Sequence, residues 1–373
     1  MKSNKLKIVL ISTPIGCLGS GKGGGVELTL ISLIKGLLAL GHELVLVAPS
    51  GSVLPFDCED VDLRLIDGIH QFSLQKQEFL SSISIPINGV LPKLLKEALD
   101  EGKNADAVLN FSYDWLPVWL TPLVEAKLFH LISMGGVSKM MIDAVKELSL
   151  YDNSRLAFHT YSQASDYELC ADPTIVGNGF DLSNYDFQSE VGGPIGWAGR
   201  IAPEKGLEDA ASVAAELGEP LLVWGLIEDE DYARKIETLF PKGTILWQGF
   251  LETRYFQKEL GKCRALINTP KWNEAFGNVV VESLACGVPV IAYKRGGPGE
   301  LVKSGITGWL VPKDDLLALT SAVLKVNEID RRKCRLWAEE SASFEAFAIR
   351  IDNWIKAGIH QNGLKKESKI GNN

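Results

Sequence analysis

Residues Glu274 to Glu300 read EAFGNVVVESLACGVPVIAYKRGGPGE, and the order of apolar, glycine and acidic positions in this stretch decides the fold. Val280, Val281 and Leu284 recur at helical spacing, which predicts a short helix from about Val279 to Cys286. Gly287-Val288-Pro289 ends it. The run VIAY that follows is apolar throughout, as in a strand buried on both faces of a parallel sheet. Arg295 to Glu300 then forms a loop whose glycines let backbone approach a ligand closely.

Glu274 lies just before the expected helix and Glu282 one turn inside it, so the two carboxylates are expected to face one place. A helix N-terminus presents unpaired N–H groups and the positive end of a dipole, which suits a phosphate. A carboxylate accepts two hydrogen bonds from a vicinal diol. Phe276, Gly277, Asn278, Val279 and Glu282 are therefore a candidate grip for a sugar nucleotide. Two glutamates at this spacing are more often solvated surface charge, and the rest of the chain decides between the two readings.

The length of 373 residues suits two domains. A net charge of −9 argues against nucleic acid or an anionic membrane surface as the main partner. The six cysteines show no C-x-x-C spacing, which points to reduced thiols rather than zinc or a redox pair. No run approaches the ~20 apolar residues of a membrane span, and the N-terminal apolar stretch is too short for a signal peptide. The expected compartment is cytoplasmic, and the sequence leaves the oligomeric state open.

The chain opens with the strand KIVLIST, a glycine-rich loop from Pro14 to Gly25, a helix from Val26 to Leu40 and the strand LVLVAP, a βαβ unit. Two phosphate motifs nearly fit that loop. Gly19 to Gly24 matches G-x-G-x-x-G, but the second strand ends in Ala48-Pro49-Ser50 without the acid a nicotinamide site needs. Gly16 to Lys22 matches G-x-x-x-x-G-K, but Gly23 stands where a P-loop has Ser or Thr. Further strands are expected at LRLID, Ala107–Phe111, Leu128–Ser133, AFHTY and TIVGNG, then PIGWAG, LLVWG, TILWQGF, RALINTP and PVIAY, with helix after Trp309-Leu-Val-Pro. The strand ending at Phe111 delivers Asn110, Tyr113, Asp114 and Trp115 to the end of an open sheet where ligands bind. Arg200 and Lys205 stand on the loop after PIGWAG, where two cations can clamp a diphosphate. His130 lies on an apolar strand, where a histidine is most often a satisfied core residue. Glu27, in a first helical turn, is favoured there by the dipole alone.

EAFGNVVVE followed by SLACGVPVIAYKRGGPGELV resembles the signature of glycosyltransferase family 4, and GGGVE, NGFD and GRIAPEKG are similar to its other segments. The resemblance implies the GT-B architecture: two Rossmann-like, doubly wound α/β domains facing a central cleft. The corresponding boundaries are 1–180 for an acceptor domain and 181–343 for a nucleotide-sugar domain. A helix at 344–360 would cross back to the first domain, and the composition of 361–373, rich in Lys, Asn, Ser and Gly, suggests a disordered tail. The resemblance further implies retaining transfer of a hexose without a metal or cofactor. Glu274 and His130 would lie by the donor sugar, Glu282 on the ribose, Gly24 and Gly25 near the diphosphate, and Arg200 and Lys205 on the leaving group. The first half, with STPIGCLGSGKGGGVELTL, NFSYDWLPVWLTP and HLISMGG, resembles the branch that glucosylates tetrahydrobiopterin from UDP-glucose. Glu27 or Asp114 would bind the pterin's N–H edge, and Asn110, Tyr113 and Trp115 would surround it. A nucleotide-sugar 2-epimerase or hydrolase of the same architecture, another acceptor, and a catalytically silent binding module are the rival readings.

Overall fold

The computed structural model describes residues 5–20, 24–74, 77–190 and 192–370. Gly21, Lys22 and Gly23, and with them the middle of both phosphate-motif spacings, lie outside the described residues, as do residues 371–373 of the expected tail. The chain divides into two compact units, Met1–Phe180 with Phe344–Asn373, and Asp181–Ser343.

The first unit is built on seven strands, β1 Lys7–Ile11, β2 Glu43–Pro49, β3 Asp62–Ile66, β4 Ala107–Asn110, β5 Leu128–Ile132, β6 Leu156–Phe158 and β7 Thr174–Ile175. Their order is β3-β2-β1-β4-β5-β6-β7, and every pair is parallel. Alternate side chains of one strand enter different cores. Ile8 and Leu10 pack with Leu30, Leu33 and Phe347, while Val9 and Ile11 pack with Val90 and Leu94. Both faces are thus covered, which is why the inner strands β1, β2 and β4 read as nearly continuous apolar runs, while the edge strand β3, DLRLI, does not. The helices Gly25–Ala39 and Phe344–Ile370 cover one face together. They meet at Gly36, where a Cβ would lie 2.5 Å from the Cβ of Ala348.

The second unit carries β8 Ile195–Ala198, β9 Leu221–Trp224, β10 Ile245–Gly249, β11 Ala265–Asn268, β12 Val290–Tyr293 and β13 Gly308–Val311, in the order β10-β9-β8-β11-β12-β13. All of these pairs are parallel too. β13 is a strand the sequence pattern misses, because GWLV is short and half its positions are not aliphatic. It is drawn against β12 at Gly308, where a Cβ would sit 1.8 Å from the Val290 carbonyl oxygen. A second difference concerns the C-terminus. The last helix runs to Ile370, where the composition had suggested a disordered tail from residue 361. Once a helix is nucleated on a packed segment, each further residue adds a hydrogen bond, and Leu, Lys and Glu are good helix formers.

In each sheet the strand order reverses beside the first strand, between β1 and β4 and between β8 and β11. Loops leaving the C-terminal ends of such neighbours form the binding crevice of open α/β sheets. The pair β8 and β11 sends out residues 199–206 and 269–274, which hold Arg200, Lys205 and Glu274. Among the described residues no helix is long and apolar enough to cross a membrane.

Candidate functional site

Gly206 fastens the two loops of the second unit together. Its backbone is left-handed, with φ of 65°, and a Cβ there would fall 2.0 Å from the carbonyl oxygen of Thr269. Thr269 Oγ1 donates to the Gly206 carbonyl at 2.7 Å, and the Lys271 N–H donates to that of Glu204 at 2.8 Å. This close seam brings the Lys205 ammonium onto the carboxylate of Glu274 as an ion pair, with side chains only 17% and 19% exposed. Trp272 completes the group. Its indole N–H donates to Glu274 Oε2 at 3.1 Å, and the Lys205 ammonium stands 5.1 Å from its ring centroid, within cation–π range.

The glycines of RGGPGE serve this same segment rather than an open surface. The Gly297 N–H donates to the Glu274 carbonyl at 2.7 Å, and a Cβ on Gly297 would lie 2.1 Å from the Phe276 carbonyl oxygen. The expected approach of backbone to a ligand is here an approach to the chain's own backbone. Phe276 is buried and Gly277, the N-cap residue with φ of 100°, turns the chain into the helix Asn278–Ala285. The helix begins one residue earlier than its apolar spacing predicts.

Glu282, one turn in, is partly buried and accepts a hydrogen bond from the Tyr185 hydroxyl at 3.1 Å. Desolvation pushes its carboxyl up to about 7, and the Tyr185 bond opposes that rise. Glu274 and Glu282 do not share a partner: one is engaged by Lys205 and Trp272, the other by Tyr185. Arg200 leaves the same loop as Lys205 but pairs with Glu204 at 3.0 Å and with Glu228. Arg295 braces the segment from behind, donating to the Pro270 carbonyl at 2.7 Å and pairing with Asp314 at 2.6 Å. Trp272, Tyr185 and Arg295 were not singled out from sequence. Trp272, two residues before Glu274, was legible as an aromatic beside a candidate acid, whereas Tyr185 gave no local signal.

In the first unit the candidate residues have structural work. Glu27 is buried in the first helical turn, where its carboxylate accepts from the Gly19 N–H at 2.8 Å and so pins the glycine-rich loop. Gly24 and Gly25 are exposed at the start of that helix. Asp114 caps the helix Trp115–Leu120, accepting from the Leu116 N–H at 2.9 Å, and its other oxygen accepts from Gln71 Nε2 at 3.1 Å. Burial raises its carboxyl. The Tyr113 hydroxyl is bound to Tyr167 and donates to the Gly135 carbonyl, each at 2.8 Å. Trp115 packs edge-on to Trp119.

His130 has no exposed surface. Asn110 Nδ2 lies 3.1 Å from its Nδ1, and Thr121 Oγ1, which donates to the Pro117 carbonyl, lies 2.7 Å from its Nε2. The ring is therefore the Nε2–H tautomer, with both nitrogens satisfied. Desolvation, helped by the charge of Arg155, lowers it to about 3. This is a neutral core histidine at neutral pH, and Asn110 is its partner.

Residues 195–344 match the family described as Glycosyl transferases group 1. A D-inositol 3-phosphate glycosyltransferase of Rhodococcus erythropolis (strain PR4) is 34% identical over 245 residues, covering 57% of this chain and 55% of that protein. A 2-deoxystreptamine N-acetyl-D-glucosaminyltransferase of Streptomyces fradiae is 31% identical over 136 residues, 34% of this chain and 32% of that protein. The chain thus spans about a third to about half the length of these curated relatives. Among solved structures, Anabaena Alr3699/HepE in complex with UDP-glucose matches with a TM-score of 0.66 at 16% identity, covering 94% of this chain and 100% of that one. The two parallel-sheet units share the fold of GT-B glycosyltransferases.

Proposed function

We propose that the chain is a glycosyltransferase that moves glucose from UDP-glucose to a reduced pterin, tetrahydrobiopterin, with retention of the α configuration. The observation that carries the donor half is the Lys205–Glu274–Trp272 group at the strand-order reversal of the second sheet, with the helix Asn278–Ala285 starting four residues after Glu274. In this reading the ribose diol donates to Glu282, whose carboxylate has acceptor capacity beyond its bond from Tyr185. The helix N-terminus and Lys205 offset the charge that grows on the leaving diphosphate, as Lys205 passes from Glu274 to a phosphate oxygen. Arg200 adds a second cation as it exchanges Glu204 or Glu228 for phosphate. Glu274 stands by the hexose. The leaving phosphate takes the acceptor proton on the face it departs from, so neither an enzymatic nucleophile nor a metal is needed.

The match over residues 195–344 and the UDP-glucose held by the Anabaena protein support the donor. The acceptor rests on the resemblance of the first half alone. Asp114 already accepts from Leu116 and Gln71, and Glu27 from Gly19, so a pterin edge would have to share a carboxylate with these partners. That engagement favours a second reading of the acceptor, a cyclitol such as those in the names of the two relatives. Its hydroxyls donate and accept equally, so it does not require a free carboxylate. Thermal melts with UDP-glucose, GDP-mannose and UDP-N-acetylglucosamine test the donor, since a ligand of the native state raises the melting temperature. UDP-glucose is expected to give the largest rise. No rise with either UDP-sugar contradicts the proposal.

A further inference from the structure

We propose that the Tyr185 hydroxyl is the positioning donor that holds the Glu282 carboxylate in its hydrogen-bond-accepting form for the ribose diol of the donor. The inference rests on the reading of Glu282 given above. Tyr185 is 6% exposed and lies 97 positions from Glu282, yet its hydroxyl meets Glu282 Oε1 at 3.1 Å. Its place is fixed from behind. One nitrogen of Arg335, Nη1, donates to the Tyr185 carbonyl at 2.8 Å and to that of Ala285, the last residue of the Glu282 helix, at 2.9 Å. The next residue, Asp186, donates its N–H to Gln257 Oε1 at 2.9 Å. The tyrosine is thus tied to the end of the helix whose carboxylate it binds.

A buried tyrosine hydroxyl needs a partner, so the bond could serve the tyrosine alone. The state of Glu282 makes it serve more. Withdrawal from water favours the neutral carboxyl, and the Tyr185 bond is the one influence acting the other way. Cys286 sits one turn on, Asp181 and Asp186 lie on the tyrosine's own segment, and Arg331 and Arg335 come from the helix Arg331–Ala342. Without the hydroxyl the carboxyl keeps its proton to higher pH. It then offers the diol a donor where an acceptor is needed.

Calorimetric titration of UDP-glucose into wild type and Tyr185→Phe, from about pH 6 to about pH 8.5, tests this, with melts to show that both are folded. Wild-type affinity should fall as pH drops below about 7. In Tyr185→Phe the midpoint should move up by about one unit, giving about fivefold weaker binding at pH 7, about tenfold at pH 6 and similar binding at about pH 8.5, because a hydrogen bond to a charged group is worth about one pKa unit. A tyrosine that only shapes the fold would weaken binding equally at every pH, and that result, like an unshifted profile, overturns the inference alone. In a Glu282→Gln background the Tyr185→Phe change should have no pH-dependent effect, and a persistent one also overturns it. Absence of UDP-glucose binding by wild type overturns the reading of Glu282 and this inference with it.

Discussion

The Lys205 ammonium and the Glu274 carboxylate form an ion pair across 69 positions of sequence. They meet because β8 and β11 are neighbours in the sheet and because Gly206 has no side chain to hold the two loops apart. Trp272 covers the pair, which lowers the local dielectric and strengthens it.

Replacing Lys205 by Ala should lower kcat about a hundredfold while changing UDP-glucose affinity by less than about tenfold, since the cation acts on charge that grows in the transition state. Arg200→Ala should lose less, because its side chain is 35% exposed and already paired with two glutamates. Steady-state kinetics beside calorimetry reads both. A change in apparent affinity alone contradicts the leaving-group role.

Glu282→Gln should weaken UDP-glucose binding at pH 8 by about 1.5 to 3 kcal/mol, the range for hydrogen bonds to a charged group. The same change should stabilise the fold. With Glu282 raised from 4.5 to about 7, the folded state keeps a proton that the unfolded chain has released between those values. Stability therefore falls as pH rises through that window, by ~3 kcal/mol at most. Denaturant unfolding at pH 8 should find Glu282→Gln the more stable protein, and a less stable one contradicts the burial of this charge.

Asp114→Ala should cost ~1 to 2 kcal/mol for the lost helix cap. Asp114→Asn should cost well under ~1 kcal/mol. Asparagine keeps the cap, and Gln71, whose Oε1 has no partner, can turn its amide to accept from the new N–H2. Melting temperatures decide it. Equal losses in the two variants would show that the charge on Asp114, and not its cap, is what matters.

Acidification should destabilise the first unit through its buried histidines. His130 is lowered to about 3 and His159 to about 4, each chiefly by desolvation, and burial lowers His42 as well. Below the unfolded value of 6.5 the unfolded chain binds protons that these folded rings refuse, so stability drops as pH falls. At pH 5 this amounts to ~2 kcal/mol for each fully depressed histidine. Unfolding curves at pH 7 and pH 5 should show the loss, and His130→Gln should reduce it.

The fold was legible because most of its strands are apolar on both faces and separated by helical spacing, so among the described residues twelve of the thirteen strands were expected and only the short β13 escaped. Local motifs single out Lys205, Glu274 and Glu282. They do not single out their partners. The Tyr185 hydroxyl reaches Glu282 across 97 positions and Gln71 reaches Asp114 across 43, and nothing in local spacing records such contacts. His130 shows the converse. A histidine beside a resembled motif looked reactive, yet Asn110 and Thr121 satisfy both of its nitrogens.

The central claim is transfer of a hexose from a nucleotide sugar, and acceptor-dependent release of UDP measures it most directly. Purified protein with UDP-glucose and tetrahydrobiopterin, in the presence of a metal chelator, should release UDP in step with formation of an α-glucosylated pterin, and neither should form when the acceptor is left out. Release with a cyclitol but not with the pterin would replace the acceptor and keep the transferase. No UDP release with any acceptor, from protein that binds UDP-glucose, would contradict the account.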